Sequence, residues 1–565
     1  MTDSRKHLKK SGESNNPEEI PAKQGFSVYY RGKTLLSRIN PISQADRLVS
    51  EIKLREKTLY LCPSPLYGYG LESLLERLKK EKEASGSAIL CVEADEKLFC
   101  LSNSTMPRIL QEKNIAFLRA GNSKEVCAFV LKNWGQRVYR RVETIRLSGG
   151  WQLCSGLYAE IEAVLRKEIA VEWSNAMTLI RLGRLYARNL IRNLALLGGN
   201  ESSFPDYGAL PVLVLGAGPS LDPFLNELSL LWGGSIPAPE KRRFKIVCVD
   251  SCLTALNERE ITPDLAIVLE SQQWNLRAFI GLKDKGINAA MDLSSLPAST
   301  RILGGKKSFF ATAWTSLGIL RRLEKAGILP EAIAPMGSVG LYAVAIALRS
   351  GTGPVITSGI DFSYSLDACH ARSTPVHREL EIRQSRFESA IPAGTAFRNG
   401  TFHEVSKTRQ RVYSDPAMRN YRDLFKQEFS SNKRLLDIKG SGLPLGVKTI
   451  SASEAFTILK GNIKSESELN PGEKIHRQRI IDFIHSEIER LKELKDILTG
   501  AASCEGELLE KLLDEEDYLW AHFPECAGAG GRRPPATDLN FLTRVRIEIE
   551  PFLKCWNISL TELLS

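Results

Sequence analysis

From Pro211 onward the chain repeats two apolar patterns. Predominantly apolar runs, Pro211 to Leu215, Phe244 to Val249, Leu265 to Leu269 and Pro354 to Ile360, are separated by stretches of helical spacing, among them the one ending near Arg259 and the alanine-rich Leu341 to Leu348. Continuous apolar runs divided by helices predict a parallel sheet covered on both faces, an α/β fold whose ligands lie beyond the carboxyl ends of the strands. Gly216, Asp250, Glu270 and Asp361 all stand at such ends.

The same patterns divide the rest of the chain. Residues 28–135 read as an N-terminal α/β domain, with strands at Leu59 to Cys62 and Ala88 to Val92, a turn at Tyr67-Gly68-Tyr69-Gly70 and a strand-end acid, Glu93. Residues 157–200 read as a helical connector, 205–460 as the Rossmann-like catalytic domain, and 471–565 as a helical C-terminal region broken at Gly528 to Pro535. The polar stretch 1–24 has no apolar core segment, so a disordered tail without a secretory signal is expected. No apolar stretch approaches the roughly 20 residues of a membrane span, and a cytoplasmic protein is the expectation.

Chemistry concentrates where the first central strand ends. Gly216-Ala217-Gly218-Pro219-Ser220-Leu221-Asp222 reads as a glycine turn into a helix, with Pro219 suited to the first helical position. Free amides there, with Ser220, are the expected cradle for a phosphate. The turn is not the dinucleotide fingerprint, because Leu221 replaces the third glycine, and no Gly-Lys-Ser/Thr follows to make a Walker loop. Gly337-Ser338 opens a second helix in the same manner. Beyond Asp361 the loop carries Tyr364 and His370; imidazole titrates near working pH, and Asp361 is expected to fix its tautomer.

These residues carry a resemblance. Gly216 to Asp222, Val249-Asp250-Ser251, Ile261-Thr-Pro-Asp264, Gly337-Ser-Val339, Gly359-Ile-Asp361 and His370-Ala371 occur in the order and spacing of the family that includes the motility accessory factors, with Asn189 and Asn193 ahead of them. That family comprises flagellin glycosyltransferases with a domain named for 6-hydroxymethylpterin diphosphokinase. Its glycine turn resembles the nucleotide-binding turn of bacterial sialyltransferases. The resemblance implies transfer of a nonulosonic-acid-type sugar from a CMP-activated donor to Ser or Thr of flagellin. His370 would be the base, with Asp361 orienting it; Gly216, Gly218, Pro219, Ser220, Asp250, Ser251, Glu270, Gly337 and Ser338 would hold the nucleotide-sugar. The charge of departing CMP is expected to be met by amides near Gly218 and Ser338 and by the phenol of Tyr364. Glu270 stands where the family commonly has aspartate. No Asp-X-Asp pair occurs, so metal-independent transfer without a cofactor is expected. The alternatives are a diphosphokinase using magnesium with ATP or GTP, and a non-catalytic flagellar assembly factor.

Composition adds limits. The 565 residues, 43% hydrophobic and 25% charged, suffice for several cored domains. Eleven singly scattered cysteines, an odd number, suit reduced thiols and offer no zinc-ligand spacing. The formal charge of +10 is uneven: residues 372–434 hold thirteen Lys/Arg against seven Asp/Glu, 13 − 7 = +6. That excess reads as a solvated helical face or as attraction for an anionic donor or acidic acceptor. No motif for reading nucleic acid accompanies it.

Overall fold

The computed structural model describes residues 16–106, 111–135, 138–198, 204–283, 285–312, 317–391, 393–461, 476–503, 505–527 and 533–565. Residues 1–15 of the expected tail, 471–475 at the start of the expected C-terminal region and 528–532 of its expected break lie outside them. The chain forms two compact units, Met1–Gly183 with Trp520–Pro535, and Arg184–Leu519 with Ala536–Ser565.

The first unit holds four parallel strands in the order Ile115–Arg119, Ala88–Glu93, Thr58–Pro63, Arg141–Thr144. It therefore extends beyond the expected boundary at 135. A three-stranded antiparallel sheet precedes it, and its first strand, Glu18–Pro21, pairs with Phe26–Tyr30 inside the stretch expected to be disordered. Pairing supplies the backbone partners that a polar sequence does not advertise. Glu93 does not present a free carboxylate at its strand end. It accepts from Ser64 Oγ at 2.7 Å, from the amides of Ala94 and Asp95 at 3.0 Å each, and from Tyr158 OH at 3.1 Å. The Gly68 turn likewise faces its own chain: a Cβ there would lie 2.6 Å from Met106 Sδ.

The second unit is built on nine parallel strands in the order Ala332–Ile333, Lys307–Thr312, Ala289–Asp292, Leu265–Val268, Lys245–Val249, Val212–Leu215, Val355–Ser358, Leu435–Ile438, Lys448–Ile450. This is the expected α/β fold with a parallel sheet. Starting at Val212–Leu215, the chain adds strands outward on one side as far as Ala332–Ile333. It then returns through helix Val339–Arg349 to place Val355–Ser358 on the other side. That helix is buried from Gly340 to Ala347 and packs across four central strands; its small residues Ala343, Ala345 and Ala347 allow close approach. The order of strands thus reverses between Val212–Leu215 and Val355–Ser358, which is where ligands of such sheets bind.

Helices Arg477–Thr499 and Leu539–Leu564 pack on each other within this unit. Arg322, on helix Gly318–Lys325, ties the first of them to the sheet's helical layer through Glu487 at 2.6 Å and also pairs with Glu516, just after helix Gly506–Glu515, at 3.1 Å, both carboxylates being almost fully buried. The helix Ser155–Leu197 covers the expected connector as far as Leu197, the connector's positions 199–200 lying outside the described residues, and the helix residues from Arg184 belong to the second unit. No helix among the described residues is long and apolar enough to cross a membrane.

Candidate functional site

At the reversal point the glycine turn meets the loop that follows Val355–Ser358. Gly216 N donates to Ser358 O and Gly218 N to Gly359 O, each at 2.8 Å. The glycines are needed for this approach: a Cβ on Gly218 would lie 2.5 Å from Asp361 Oδ2 and 2.7 Å from Gly359 O. Helix Leu221–Leu231 starts here, and Ser220 gives it no side-chain cap. The anion at this helix start is internal. Asp361 Oδ2 accepts from Ser220 N at 2.7 Å and Oδ1 from Ser220 Oγ at 2.5 Å, with both residues buried. A carboxylate satisfies orphan amides and the helix dipole as a phosphate would. Two expectations change accordingly: Ser220 is engaged by Asp361 rather than open to a ligand phosphate, and the Asp361 carboxylate is spent on Ser220 rather than on His370.

His370 nevertheless comes to the turn. Ala371 N donates to Ala217 O at 2.9 Å, Arg372 N donates to Asp222 Oδ2 at 2.7 Å, and Thr254 Oγ1 donates to Ser373 O at 2.6 Å. Three consecutive anchors fix the loop against the starts of the two helices that follow the first two central strands. The His370 ring is half-buried, with Nδ1 3.5 Å from Cys369 Sγ. Burial lowers its pKa below the ordinary histidine value, so the imidazole is neutral and able to accept a proton at neutral pH.

The neighbouring strand ends supply carboxylates. Asp250 is buried; its Oδ1 accepts from Ser251 N at 2.7 Å and its Oδ2 from Asn275 Nδ2 at 2.8 Å. Burial pushes its carboxyl up to about 6 against these two bonds, and the nearby Glu270 charge adds to the rise. Glu270 is half-buried, and its Oε1 accepts from Gln272 N at 2.9 Å. Asn189 and Asn193 hold this rim from behind. Asn189 Nδ2 donates to Ser271 O and Ser294 O at 3.0 Å each, and Asn193 Nδ2 donates to Leu293 O and Ser295 O at 2.8 Å each.

Ser338 stands at the start of helix Val339–Arg349 without a side-chain cap bond, and Gly337, with φ of +69°, packs against the Tyr421 ring. Tyr364 is buried. Its hydroxyl lies 3.3 Å from Thr395 O and 3.2 Å from Thr401 Oγ1, and its ring stacks on Tyr413. That phenol is therefore committed within its own loop, in place of the leaving-group role expected of it.

Some residues escaped the sequence reading. Lys407 Nζ pairs with Asp437 Oδ2 at 2.8 Å, both side chains almost fully buried, and Thr357 Oγ1 donates to the same carboxylate at 3.0 Å. Lys407 looked like one cation of a basic stretch. Asn275, which orients Asp250, carried no motif. No group of three or more His, Cys, Asp or Glu among the described residues is arranged to hold a metal ion.

An uncharacterized protein of Treponema pallidum (strain Nichols) is 30% identical over 566 residues, spanning 95% of this chain and 94% of that protein. This chain belongs to the same family. Family membership is accompanied by a domain match: residues 188–367 fit the family described as 6-hydroxymethylpterin diphosphokinase MptE-like. The match takes in the asparagines, the glycine turn, the strand-end acids, Ser338, Asp361 and Tyr364, and stops three residues short of His370 (370 − 367 = 3). Among solved structures, the MAf glycosyltransferase from Magnetospirillum magneticum AMB-1 has the same fold, with a TM-score of 0.51 and 12% identity over 97% of this chain and 92% of that one. The likeness to the motility accessory factors expected from the motifs is met on both counts, the MptE-like domain and the fold.

Proposed function

We propose that this protein is a glycosyltransferase that moves a nonulosonic-acid-type sugar from a CMP-activated donor to a serine or threonine hydroxyl of a protein acceptor, flagellin. The observation that carries the reading is the bond from Ala371 N to Ala217 O, which seats a neutral imidazole at the glycine turn where the strand order reverses. In the proposed reaction the acceptor oxygen bonds to the anomeric carbon as the bond from that carbon to the CMP phosphate oxygen breaks. His370 takes the hydroxyl proton, and CMP leaves with the electron pair. Base assistance of this kind contributes typically ~10²–10⁴ in rate. With Ser220 engaged by Asp361, stabilisation of the departing phosphate falls to the uncapped start of helix Val339–Arg349 beside Ser338, where backbone amides favour negative charge. This division of roles needs no divalent ion. Asp250, Ser251 and Glu270 form the polar rim offered to ribose or sugar hydroxyls.

A protein acceptor is supported by the segment after His370. Val376, Ile382, Phe387, Ile391 and Phe397 are all exposed there, and no residue of helix Pro375–Arg383 is buried. Apolar side chains left in water beside a site are characteristic of a surface that meets another chain.

Intact-mass analysis of flagellin from a strain lacking the protein tests the reading. Loss of a repeated mass increment supports sugar transfer; an unchanged spectrum contradicts it. The diphosphokinase reading, which the domain match favours by name, requires consumption of ATP or GTP with magnesium and a pterin, and flagellin is then unaltered.

A further inference from the structure

Trp274 is 59% exposed, although an indole in water forgoes more burial than any other side chain could gain. Its backbone is nonetheless firmly placed. The short helical segment Gln273–Phe279 is anchored by Ala278 and Phe279, both buried, and by Asn275, whose amide holds the Asp250 carboxylate at 2.8 Å. One side of the indole is met by the Arg277 guanidinium, 6.0 Å from the ring centroid, and Arg277 is itself fixed by an ion pair to Glu379. The ring is therefore a held, solvent-facing surface at the carboxyl end of Leu265–Val268.

The strand that leads to Trp274 has a place in the sheet fixed relative to the reversal point. Leu265–Val268 lies two strands from Val212–Leu215, a separation of about 10 Å at the usual strand spacing. That is comparable to the span from the phosphate to the base of one nucleotide. Asp250 ends the strand between them, Lys245–Val249, and Glu270 follows Leu265–Val268 itself. Glu270 Oε2 has no hydrogen-bond partner among the described residues, which leaves it open to a ribose hydroxyl.

We propose that Trp274 is the stacking platform for the base of a nucleotide whose phosphate lies at the reversal point and whose ribose is gripped by Glu270. The inference rests on the nucleotide-donor reading of the site, but it names a residue and a contact that the reading does not require.

The test is binding of nucleoside monophosphates and of ribose 5-phosphate to the full-length protein by calorimetry and tryptophan fluorescence. CMP should quench the wild-type signal. Trp274→Ala should weaken CMP by roughly 5- to 150-fold, the effect of losing one base–aromatic stack, and Trp274→Phe by less. Ribose 5-phosphate, which has no base, should bind both forms equally. Unchanged CMP affinity in Trp274→Ala overturns the platform while leaving the CMP-donor reading intact. Purine nucleotides that bind instead of CMP, and weaken in Trp274→Ala, support the platform and overturn the CMP-donor reading. Absence of any nucleotide binding by the wild type overturns both the platform and the CMP-donor reading. Thermal unfolding of the variants, expected to match wild type because the side chain is exposed, guards against misfolding.

Discussion

Ser220 gives both its amide and its hydroxyl to Asp361, at 2.7 and 2.5 Å, across the point where the strand order reverses. The carboxylate occupies the helix start that the glycine turn advertises, so the turn is a structural joint before it is part of any binding site. Hydrogen bonds to a buried charged group contribute about 1.5–3 kcal/mol each. Asp361→Asn should therefore lower stability by about 2–4 kcal/mol without any ligand present, since the amide group turns a donor toward one of the Ser220 donors. Gly218→Ala should cost about 2 kcal/mol or more by pressing a methyl into Asp361 and Gly359 O. Denaturant unfolding of the unliganded protein checks both; if the glycines served only a ligand's approach, both variants would unfold like wild type.

His370 should control turnover rather than donor binding. His370→Ala is expected to lower kcat by about 10²–10⁴ with little change in the donor KM. Because burial lowers its pKa, the acid limb of kcat/KM should fall below the ordinary histidine value of about 6.5. An acid limb above that value would contradict the assignment.

Asp250 gives stability a pH dependence of known sign. Its carboxyl is raised to about 6 in the folded chain, so the native state favours the protonated form. That contribution is complete below the unfolded value of about 4 and is lost as pH rises through about 6. Asp250→Asn does not titrate, and Asn275 can turn its amide to accept from it. The variant should gain on wild type by up to about 3 kcal/mol between about pH 4 and pH 8. Melting temperatures measured in parallel across that range report the difference directly.

Asn193→Ala removes two donors from buried carbonyls of the segment Leu293 to Ser295. Stability should fall by about 2–4 kcal/mol. Donor affinity should fall as well, because Ser294, which Asn189 ties to Ser271 beside Glu270, lies within the loosened segment. Calorimetric unfolding and donor titration separate the two effects.

Much of this was legible before any fold was known. The apolar runs pointed to the parallel sheet, and the family resemblance implied that His370 works at the glycine turn. Asn189 and Asn193 stood out as motif residues, and the structure supplies their reason in four backbone carbonyls. What could not be read was which anion fills the turn. A helix start with free amides looks the same in sequence whether a ligand or a distant carboxylate answers it, and Asp361 lies 141 residues beyond Ser220. Lys407 and Asp437 escaped notice for a related reason: a buried ion pair between separate elements has no local pattern. Asp264 of the Ile261-Thr-Pro-Asp264 motif proves to hold the amide of Ile246 at 2.8 Å and to pair with Arg242, and so secures the start of strand Lys245–Val249. Glu18–Pro21 adds the converse case, a polar segment made into a strand by its partner.

Sugar transfer at His370 is tested most directly by incubating purified flagellin and a CMP-activated nonulosonic acid with the wild-type protein or with His370→Ala, with and without EDTA, and weighing the intact flagellin. The account predicts added sugar masses with wild type, undiminished by EDTA, and almost none with the variant. Equal modification by both proteins, or none by wild type, would contradict it.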